Sequence, residues 1–574
     1  MKLRSIKIVG TYKSIEGTEK KPFEYEFKDN KSGYSPLCLV GLNGSGKSNL
    51  IELIADIFCY IERFFNNQYI CKDDLNYEFE LDYELSRNNT CIRVKLKSNQ
   101  GRPEIFENDA LLITSEDGRG YSPLNTHISE YLPDNIVAYS SGHNQGLSSV
   151  FSKNQLSFFS VLQKQATFYK NYDKLFALLE GRETALDDKI RQDICDYMEK
   201  IQRNHPSMFE EPYNLEEGYD SDQSLTSINP SLPLGLYSEH STNQLVFISL
   251  FVSGHQKFKD FLKNELNIEA LTYFELDLRL ADYRGIDSIR DEVKRLISLS
   301  SNHERFNDET YNGVLAFKVD HDFYEVLESL YSDRSIFFEK LLFLTLMSAK
   351  RWSPDEKRTL KSSQFERNVA NVSGGYSPLR ITNTKIKLLK PNVETLYDRL
   401  SDGEHQLIQI IAALTLFEDK QTLFILDEPE SHFNPEWRIE FINLISQYVK
   451  NDNTEIMIST HSPFILSACA SERVLHFDKN EMGNVAIGSV DLETYGASFD
   501  TLLTSVFDLD VLISKKPLQE IRAILNEYDT EELSDEDALD KLEPFGDSFE
   551  LNFRRNKIRN IIADKSSADD QGED

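Results

Sequence analysis

The chain has 574 residues, of which 40% are hydrophobic and 28% are charged, and its formal net charge is −32. This length predicts two to four domains with an ample hydrophobic core. No apolar run approaches the roughly 18 residues that a membrane-spanning helix needs, so we expect no membrane contact. The acidic balance disfavours a protein that grips DNA through its phosphates, because such a protein needs a basic surface.

The cysteines and the first residues predict a cytoplasmic protein. The six cysteines are scattered and form no C-x-x-C pair, so we expect reduced thiols and no zinc site. The chain opens with a strand pattern over residues 3–9, without the features of a signal peptide.

Residues 41–48 read G-L-N-G-S-G-K-S, which is the G-x-x-x-x-G-K-S pattern of a phosphate loop. A short strand over residues 37–40 precedes it and an amphipathic helix follows, which is the context this pattern requires. The glycines allow backbone N–H groups to converge on phosphates at a helix N-terminus. Lys47 is predicted to reach the β- and γ-phosphates, and the Ser48 hydroxyl is predicted to bind Mg²⁺. The residues predicted to bind nucleotide here are Asn43, Gly44, Ser45, Gly46, Lys47, Ser48 and Asn49.

The region after the phosphate loop changes character along the chain. Alternating patterns predict strands over residues 77–85 and 91–97, and another strand over 135–139. Residues 151–390 are predicted to form a mostly helical insertion, with helices near 155–172, 185–202, 244–264, 286–299 and 323–348. Because no heptad pattern persists, a long coiled-coil arm is not predicted. Residues 211–235 are predicted to form a loop.

Two carboxylates follow a short apolar strand at residues 422–426. This strand ends in Asp427 and Glu428, which is the Walker B pattern. Ligands bind at the carboxyl ends of strands in open α/β sheets, so Asp427 is predicted to hold Mg²⁺ and Glu428 to act as the general base that activates water. A further strand over 454–460 ends at His461, after a helix over 435–450. Upstream, L-S-D-G-E-H-Q at 400–406 reads as a helix start that could bind an anion.

Together these motifs resemble the ABC-type ATPase superfamily, in the branch of the SMC, Rad50 and RecF heads and the OLD-like ATPases. The resemblance implies an α/β fold: an ABC-type P-loop NTPase head with a large, mostly helical insertion and a short helical C-terminal tail. It implies ATP and Mg²⁺ as cofactors and a head-to-head dimer. In that dimer Ser401 and Gly403 would contact the γ-phosphate of the other protomer, and His461 would be the switch histidine. Lys13, in Tyr12-Lys13-Ser14, would lie near the phosphates, and Gln145 is the candidate Q-loop glutamine at Mg²⁺.

The signature departs from the family pattern LSGGQ at two positions. Asp402 replaces the first glycine of the pair, and Glu404 stands where glutamine is expected. A closer resemblance is to the restriction-system-associated AAA/ABC ATPases, including the PtuA-like ATPases of Septu and retron anti-phage defence. It is carried by residues 400–406, by LDEPESHFNPEWR at 426–438, by ISTHSPFIL at 458–466 and by 495–498.

The expected organisation is a first head lobe (1–150), the insertion (151–390), a second head lobe (391–512) and a helical tail with a disordered end (513–574). About 60 residues after the second lobe are too few for a Toprim nuclease, and no H-N-H constellation appears. The resemblance therefore implies an ATPase subunit that gates a separate effector, an HNH-type nuclease, in a defence, retron or restriction complex. The alternatives are a RecF/Rad50-like DNA-repair ATPase that contacts DNA directly, and a nucleotide-gated scaffold with little hydrolysis.

Overall fold

The computed structural model describes the chain except for residues 30–34, 67–68, 70–74, 88–89, 100, 114–127, 143–144, 180–187, 205–231, 239, 284–285, 335, 347–352, 354, 359–376, 450–453, 481–482, 510–513, 531 and 570–574. It forms two compact units, Met1–Gly496 and Ala497–Asp574. The lobe and insertion boundaries expected from the sequence at 150, 390 and 512 stay predictions.

The first unit is built on two large sheets. One is antiparallel, with strand order β2-β1-β5-β6-β7-β8 and β3 paired with β1. Its strands are β1 (Lys2–Tyr12), β2 (Ile15–Gly17), β3 (Phe23–Glu26), β5 (Tyr77–Arg87), β6 (Thr90–Asn99), β7 (Arg102–Glu107) and β8 (Ala110–Ile113). The other has the order β10-β9-β16-β17-β4-β18-β19 and is parallel except at β18–β19. Its strands are β4 (Leu37–Gly41), β9 (Asn135–Ser140), β10 (Gly235–Ser238), β16 (Thr422–Asp427), β17 (Thr454–Ser459), β18 (Val474–Lys479) and β19 (Val485–Gly488).

The parallel sheet forms where the sequence gives continuous apolar runs. Every residue of β4, β16 and β17 is buried, as expected for strands covered on both faces. Helix α1 (Lys47–Phe65) is buried nearly all round, and it shares a core with residues of β1, β5, β9 and β16. The α/β fold class and the strands predicted at 37–40, 135–139, 422–426 and 454–460 are confirmed.

A third sheet lies in the region predicted to be a mostly helical insertion, except for its edge strand, which follows residue 390. It is antiparallel, with the order β12-β13-β11-β14-β15. Its strands are β11 (Ile268–Arg279), β12 (Phe306–Asn307), β13 (Asn312–Lys318), β14 (Leu379–Leu388) and β15 (Val393–Leu396). The sequence prediction missed this sheet, because three register shifts between β11 and β14 break the alternation of buried and exposed residues.

The helices of the first unit include most of those predicted. They are α2 (Ile128–Tyr131), α3 (Gln145–Leu179), α4 (Asp188–Asn204), α5 (His240–Ser253), α6 (Gln256–Glu265), α7 (Asp287–Leu299), α8 (His321–Leu330), α9 (Ile336–Leu346), α10 (Asp402–Leu416), α11 (Pro435–Ser446) and α12 (Pro463–Leu466). The helices predicted over 244–264 and 323–348 are each two helices. The first pair is separated at Gly254, whose φ of +81° is incompatible with a continuing right-handed helix. The loop predicted at 211–235 falls mostly outside the described residues.

The second unit is helical. It contains α13 (Phe499–Ser505), α14 (Lys515–Asp529), α15 (Asp535–Leu542) and α16 (Phe549–Asp569). A small apolar core holds α14, α15 and α16 together through Ile521, Leu525, Ala538, Leu542, Leu551 and Ile558. Helix α16 continues to Asp569 and so enters the last ten residues, 565–574, which are the end of the tail that the sequence predicts to be disordered.

Two further findings bear on the expectations from composition. Within the described ranges, no helix has the length and apolar character needed to cross a bilayer. Cys38 and Cys469, 431 positions apart in sequence, are both buried and their Sγ atoms lie 2.7 Å apart as free thiols. The contact with Cys469, followed by burial, raises the pKa of the Cys38 thiol.

Candidate nucleotide-binding site

Three parallel strands bring the separated motifs to one edge of the sheet. Strand β17 lies between β4 and β16, and all three run in the same direction. Their carboxyl ends therefore meet at the same edge. The phosphate loop follows β4, Asp427 and Glu428 lie at the end of β16, and His461 follows β17.

The phosphate loop has the backbone conformation that an anion cradle needs. Gly44 and Gly46 have φ angles of +76° and +105°, which side chains other than glycine rarely adopt. A Cβ atom added at Gly46 would lie 2.3 Å from Val485 Cγ2. The Ser45 hydroxyl is buried and has no hydrogen-bond partner among the described residues. An orphaned donor in a glycine-rich loop at the start of α1 fits a bound phosphate group. Asn43 is exposed on the same loop, and Ser48 lies half-buried in the first turn of α1.

All three N–H donors of the Lys47 ammonium have acceptors within reach. Lys47 Nζ lies 2.9 Å from the carbonyl oxygen of Gly41, 3.2 Å from that of Leu42 and 3.0 Å from His461 Nε2. Burial lowers the pKa of Lys47, while Glu428 and Asp427 oppose that shift. Lys47 must therefore release at least one of these acceptors before it can bind a phosphate oxygen.

The two Walker B carboxylates have different surroundings. Asp427 is buried, and its two oxygens accept hydrogen bonds from the hydroxyls of Ser459 and Ser140, the second at 3.3 Å. Glu428 has a side chain that is 48% exposed and a φ of +50°. Its amide N–H donates to the carbonyl oxygen of Ser459 at 3.0 Å. Backbone strain of this kind concentrates at functional sites.

His461 joins Lys47 to Glu428. Its Nε2 atom lies 3.0 Å from Lys47 Nζ and 3.8 Å from Glu428 Oε1. Burial lowers the pKa of His461, Lys47 lowers it further, and Asp427 opposes the shift. A lowered pKa leaves the imidazole neutral at pH 7, so its Nε2 can accept a hydrogen bond from the ammonium.

The turn after β1 lies against the phosphate loop. Asn49 Nδ2 donates to Ser14 Oγ at 2.5 Å, and Ser14 Oγ is 3.3 Å from the position of a Cβ at Gly46. Lys13, with a φ of +52°, forms an ion pair with the buried carboxylate of Glu52 on α1. The predicted role of Lys13 at the phosphates stays a prediction.

The residues of the predicted signature turn form hydrogen bonds with one another. Ser401 is the N-cap of α10, and Glu404 N–H donates to its hydroxyl oxygen at 3.3 Å. The Glu404 carboxylate in turn accepts from the Ser401 N–H at 2.7 Å and from its hydroxyl at 2.8 Å. This arrangement is a capping box, which satisfies otherwise free donors of the first turn. A Cβ at Gly403 would lie 2.7 Å from the His432 carbonyl oxygen, so the signature turn packs against the segment after Walker B.

Gln145 is placed only through its backbone. It begins α3, shortly after β9, and its side chain lies outside the described residues. A Cβ on the next residue, Gly146, would lie 2.4 Å from Glu52 Oε1. The start of α3 therefore approaches the same carboxylate that Lys13 binds.

Sequence reasoning missed several residues that support this site. Ser140 and Ser459 bind Asp427, Glu52 binds Lys13, and Thr460 donates a hydrogen bond to Glu430. The sequence signal that could have indicated these residues is the presence of small polar side chains at the carboxyl ends of β9 and β17. Their partners became apparent only from the strand order.

The match to a family model covers most of the chain. The model described as "AAA ATPase domain" matches residues 1–466. The chain belongs to the AAA ATPase domain family. The phosphate loop, the Walker B strand and His461 all fall within the matched range.

Two curated proteins are similar to parts of this chain. The Septu protein PtuA of Bacillus thuringiensis is 22% identical over 265 residues, which are 43% of this chain and 61% of PtuA. Protein ea59 of Escherichia phage lambda is 27% identical over 175 residues, or 27% of this chain and 33% of ea59. The chain thus spans less than two thirds of the length of each of these relatives.

Solved SMC heads also align with the chain. The SMC head domain from Thermotoga maritima has 12% identity and a TM-score of 0.31, and the alignment covers 86% of this chain and all of that one. The Smc head domain bound to the C-terminal domain of ScpA, from Pyrococcus furiosus, has 13% identity and a TM-score of 0.31, with 91% and 99% covered. At this TM-score the likeness adds nothing to the fold assignment, which rests on the sheet topology and the motif positions.

Proposed function

We propose that the chain binds Mg²⁺–ATP at the edge of the parallel sheet and hydrolyses it. The observation that carries the proposal is the convergence of Lys47, Glu428 and His461, which belong to three separate motifs. His461 Nε2 lies 3.0 Å from Lys47 Nζ and 3.8 Å from Glu428 Oε1. Membership in the AAA ATPase domain family supports the same chemistry.

Each residue has a role that follows from its chemistry. The orphaned Ser45 hydroxyl and the Lys47 ammonium suit the phosphates. Ser48 and Asp427 offer the oxygen ligands that Mg²⁺ prefers, with Gln145 as a further candidate. When bound, Mg²⁺ neutralises charge that develops on the phosphates during transfer. The exposed carboxylate of Glu428 accepts the proton of the attacking water.

We further propose that two copies engage head to head around two ATP molecules. Ser401 and Gly403 of one protomer would then contact the γ-phosphate bound by the other, and a two-fold interface supplies both sites at once. Packing of Gly403 against His432 supports this, because it joins the signature turn to the segment that follows Walker B. Two apolar side chains near these motifs are exposed: Leu42 by 58% and Ile439 by 52%.

The cellular role we propose is a cytoplasmic, defence-associated one. The similarity to the Septu protein PtuA supports an anti-phage complex in which nucleotide state gates a separate effector, an HNH-type nuclease. The net charge of −32 favours a basic partner surface over direct binding to DNA.

One observation favours a second candidate, a nucleotide-gated scaffold with little hydrolysis. The capping box places the Glu404 carboxylate at the signature turn, where a negative charge would repel the γ-phosphate of the partner's ATP. Weak engagement of the signature would slow turnover while nucleotide binding remained.

Purified full-length chain provides the test. ATP hydrolysis is measured beside Glu428→Gln, and the mass in solution is measured by light scattering with and without ATP. Turnover that Glu428→Gln removes, with dimers or larger even assemblies that need ATP, is the expected result. No turnover in an assembly that forms without ATP would reject the hydrolysis proposal in favour of the scaffold.

A further inference from the structure

Glu430 is a buried carboxyl group to which the proposed mechanism assigns no role. Its residue is 5% exposed, and it follows the Walker B pair after Pro429. Oε1 accepts a hydrogen bond from the Thr460 hydroxyl, whereas Oε2 is buried without a hydrogen-bond partner among the described residues. Burial raises the pKa of Glu430 to about 7, with Glu428 adding to the shift and Thr460 and Arg438 opposing it.

Thr460 connects this carboxyl group to the switch histidine. Thr460 is fully buried and directly precedes His461. Its N–H donates to the Leu39 carbonyl oxygen at 3.1 Å, which fastens the loop to the strand that leads into the phosphate loop. Its hydroxyl oxygen accepts from the Ser462 N–H at 2.9 Å. The backbone is thus held on both sides of His461.

The Glu430 carboxylate completes that arrangement. A hydroxyl group has one proton, and when Glu430 accepts it the oxygen lone pairs are free to face the Ser462 N–H. Without that acceptor, the hydroxyl can rotate and no longer keeps a lone pair directed at the Ser462 N–H, so the loop is less firmly held on the far side of His461. The contact between His461 Nε2 and Lys47 Nζ, at 3.0 Å, has little tolerance, since a shift of about 1 Å ends a hydrogen bond.

We propose that Glu430 is a positioning residue for the ATPase site, which acts through Thr460 to hold His461 against Lys47 and Glu428. The inference rests on the proposed function, in which His461 senses the γ-phosphate. A carboxyl group that only filled space here would be a poor choice, because its desolvation is unfavourable and an apolar side chain of similar volume would pack equally well. A carboxyl group at position 430 is explained if it orients the Thr460 hydroxyl.

The test separates positioning from stability with two matched pairs of variants. Glu430→Leu removes the acceptor and Glu430→Gln retains an oxygen at the same distance along the side chain. Thr460→Val removes the hydroxyl at constant shape, and Thr460→Ser retains it. For Glu430→Leu and Thr460→Val we expect kcat for ATP to fall roughly 10- to 100-fold, the scale of a 1 Å misplacement, while affinity for a fluorescent ATP analogue stays within about threefold. The conservative partners should keep kcat within about threefold of wild type.

The double variant Glu430→Leu/Thr460→Val decides whether the two residues act as one unit. A single shared path predicts that it loses no more kcat than either single variant. Unchanged kcat in Glu430→Leu, or a kcat loss in Glu430→Leu that Thr460→Val does not reproduce, would overturn the proposal. Thermal unfolding of each variant identifies any that fails to fold, and Thr460→Val then carries the test alone.

Failure of the proposed function is detected separately. If wild type does not hydrolyse ATP, the hydrolysis proposal fails, and ATP-dependent dimer formation by light scattering becomes the readout for positioning. Loss of dimers in Glu430→Leu and Thr460→Val, with dimers retained in Glu430→Gln and Thr460→Ser, would support the role of Glu430. Equal dimer formation in all four would reject it.

Discussion

Two helix N-termini of this molecule, each proposed to contact a nucleotide phosphate, differ in how their donors are satisfied. At the start of α1, the phosphate loop leaves the Ser45 hydroxyl buried without a partner among the described residues, and Gly46 has a φ of +105°. At the start of α10, the Ser401 hydroxyl, the Ser401 N–H and the Glu404 N–H all take part in the capping box. The start of α1 therefore has a hydroxyl group available to a ligand, whereas the corresponding groups at the start of α10 already form hydrogen bonds with each other.

The difference indicates an order of events. A phosphate can bind at α1 with only the release of Lys47 from one of its acceptors. Contact of a γ-phosphate with Ser401 requires the capping box to open or to share its donors, and this must happen in the presence of the Glu404 carboxylate. Nucleotide binding within one protomer should therefore precede, and be tighter than, engagement of the partner's signature.

Removal of the Lys47 ammonium should produce the largest effect. Lys47→Ala removes the positive side chain of the phosphate loop, and with it the charge-assisted hydrogen bonds proposed to the phosphates. We therefore expect affinity for an ATP analogue to fall at least roughly 100-fold. Lys20→Ala, on the exposed turn near β2, is the matched control and should bind as wild type does. Equal affinity in wild type and Lys47→Ala, measured by fluorescence titration, would reject the site assignment.

The second prediction uses two glycines of the same loop. Alanine at Gly44 meets no atom within 4 Å, so Gly44→Ala incurs only the strain of its φ, about 1–2 kcal/mol. Alanine at Gly46 adds a clash with Val485 Cγ2 at 2.3 Å. We expect Gly46→Ala to weaken nucleotide binding more than tenfold relative to Gly44→Ala. Partial recovery in Gly46→Ala/Val485→Ala would assign the difference to that clash, and equal losses in the two single variants would contradict it.

The meeting of these motifs at one sheet edge was predictable because each motif is a local pattern. The glycine spacing fixes the loop, and the apolar runs before Asp427 and His461 fix strands that end at one sheet edge. The side-chain partners were not predictable. The hydrogen bond from Ser140 to Asp427 joins residues 287 positions apart, and it depends on β9 lying beside β16.

The antiparallel sheet formed by β11 to β15 escaped prediction for a related physical reason. Strand β11 pairs with β14 more than 100 residues later, and the three register shifts between them remove the alternation by which a strand is recognised. Apolar residues in such a strand read equally well as a helix face. A different missing signal explains why α8 and α9 were predicted as one helix. The residues between them include no proline or glycine that would mark a break.

The third prediction concerns the signature turn. Glu404→Gln keeps a side chain that can close the capping box but removes its negative charge, so we expect ATP-dependent dimers to form at several-fold lower protein concentration. Glu404→Ala also removes the charge but loses the box, at about 1 kcal/mol of helix stability. Glu19→Gln, an exposed acid in the turn after β2, controls for net charge. Unchanged dimer formation by light scattering in Glu404→Gln would show that Ser401 and Gly403 lie away from the partner's nucleotide.

The smallest predicted effect is a pH dependence at the phosphate loop. The pKa of His461 lies below its ordinary value of 6.5, because burial and Lys47 disfavour the imidazolium ion. A bound γ-phosphate would favour that ion, so nucleotide binding should be coupled to proton uptake, and affinity should rise a few-fold as the pH falls from 7.5 toward 6. In His461→Asn the part of this pH dependence that the imidazole contributes should vanish while the affinity at pH 7.5 changes little, as judged by titrating an ATP analogue at several pH values. The phosphate groups of free ATP also titrate near pH 6.5, and this contribution is common to both proteins, so the difference between the two slopes is the quantity to measure. Parallel slopes would mean that the imidazole does not face the nucleotide, and the switch role would then fall to another residue.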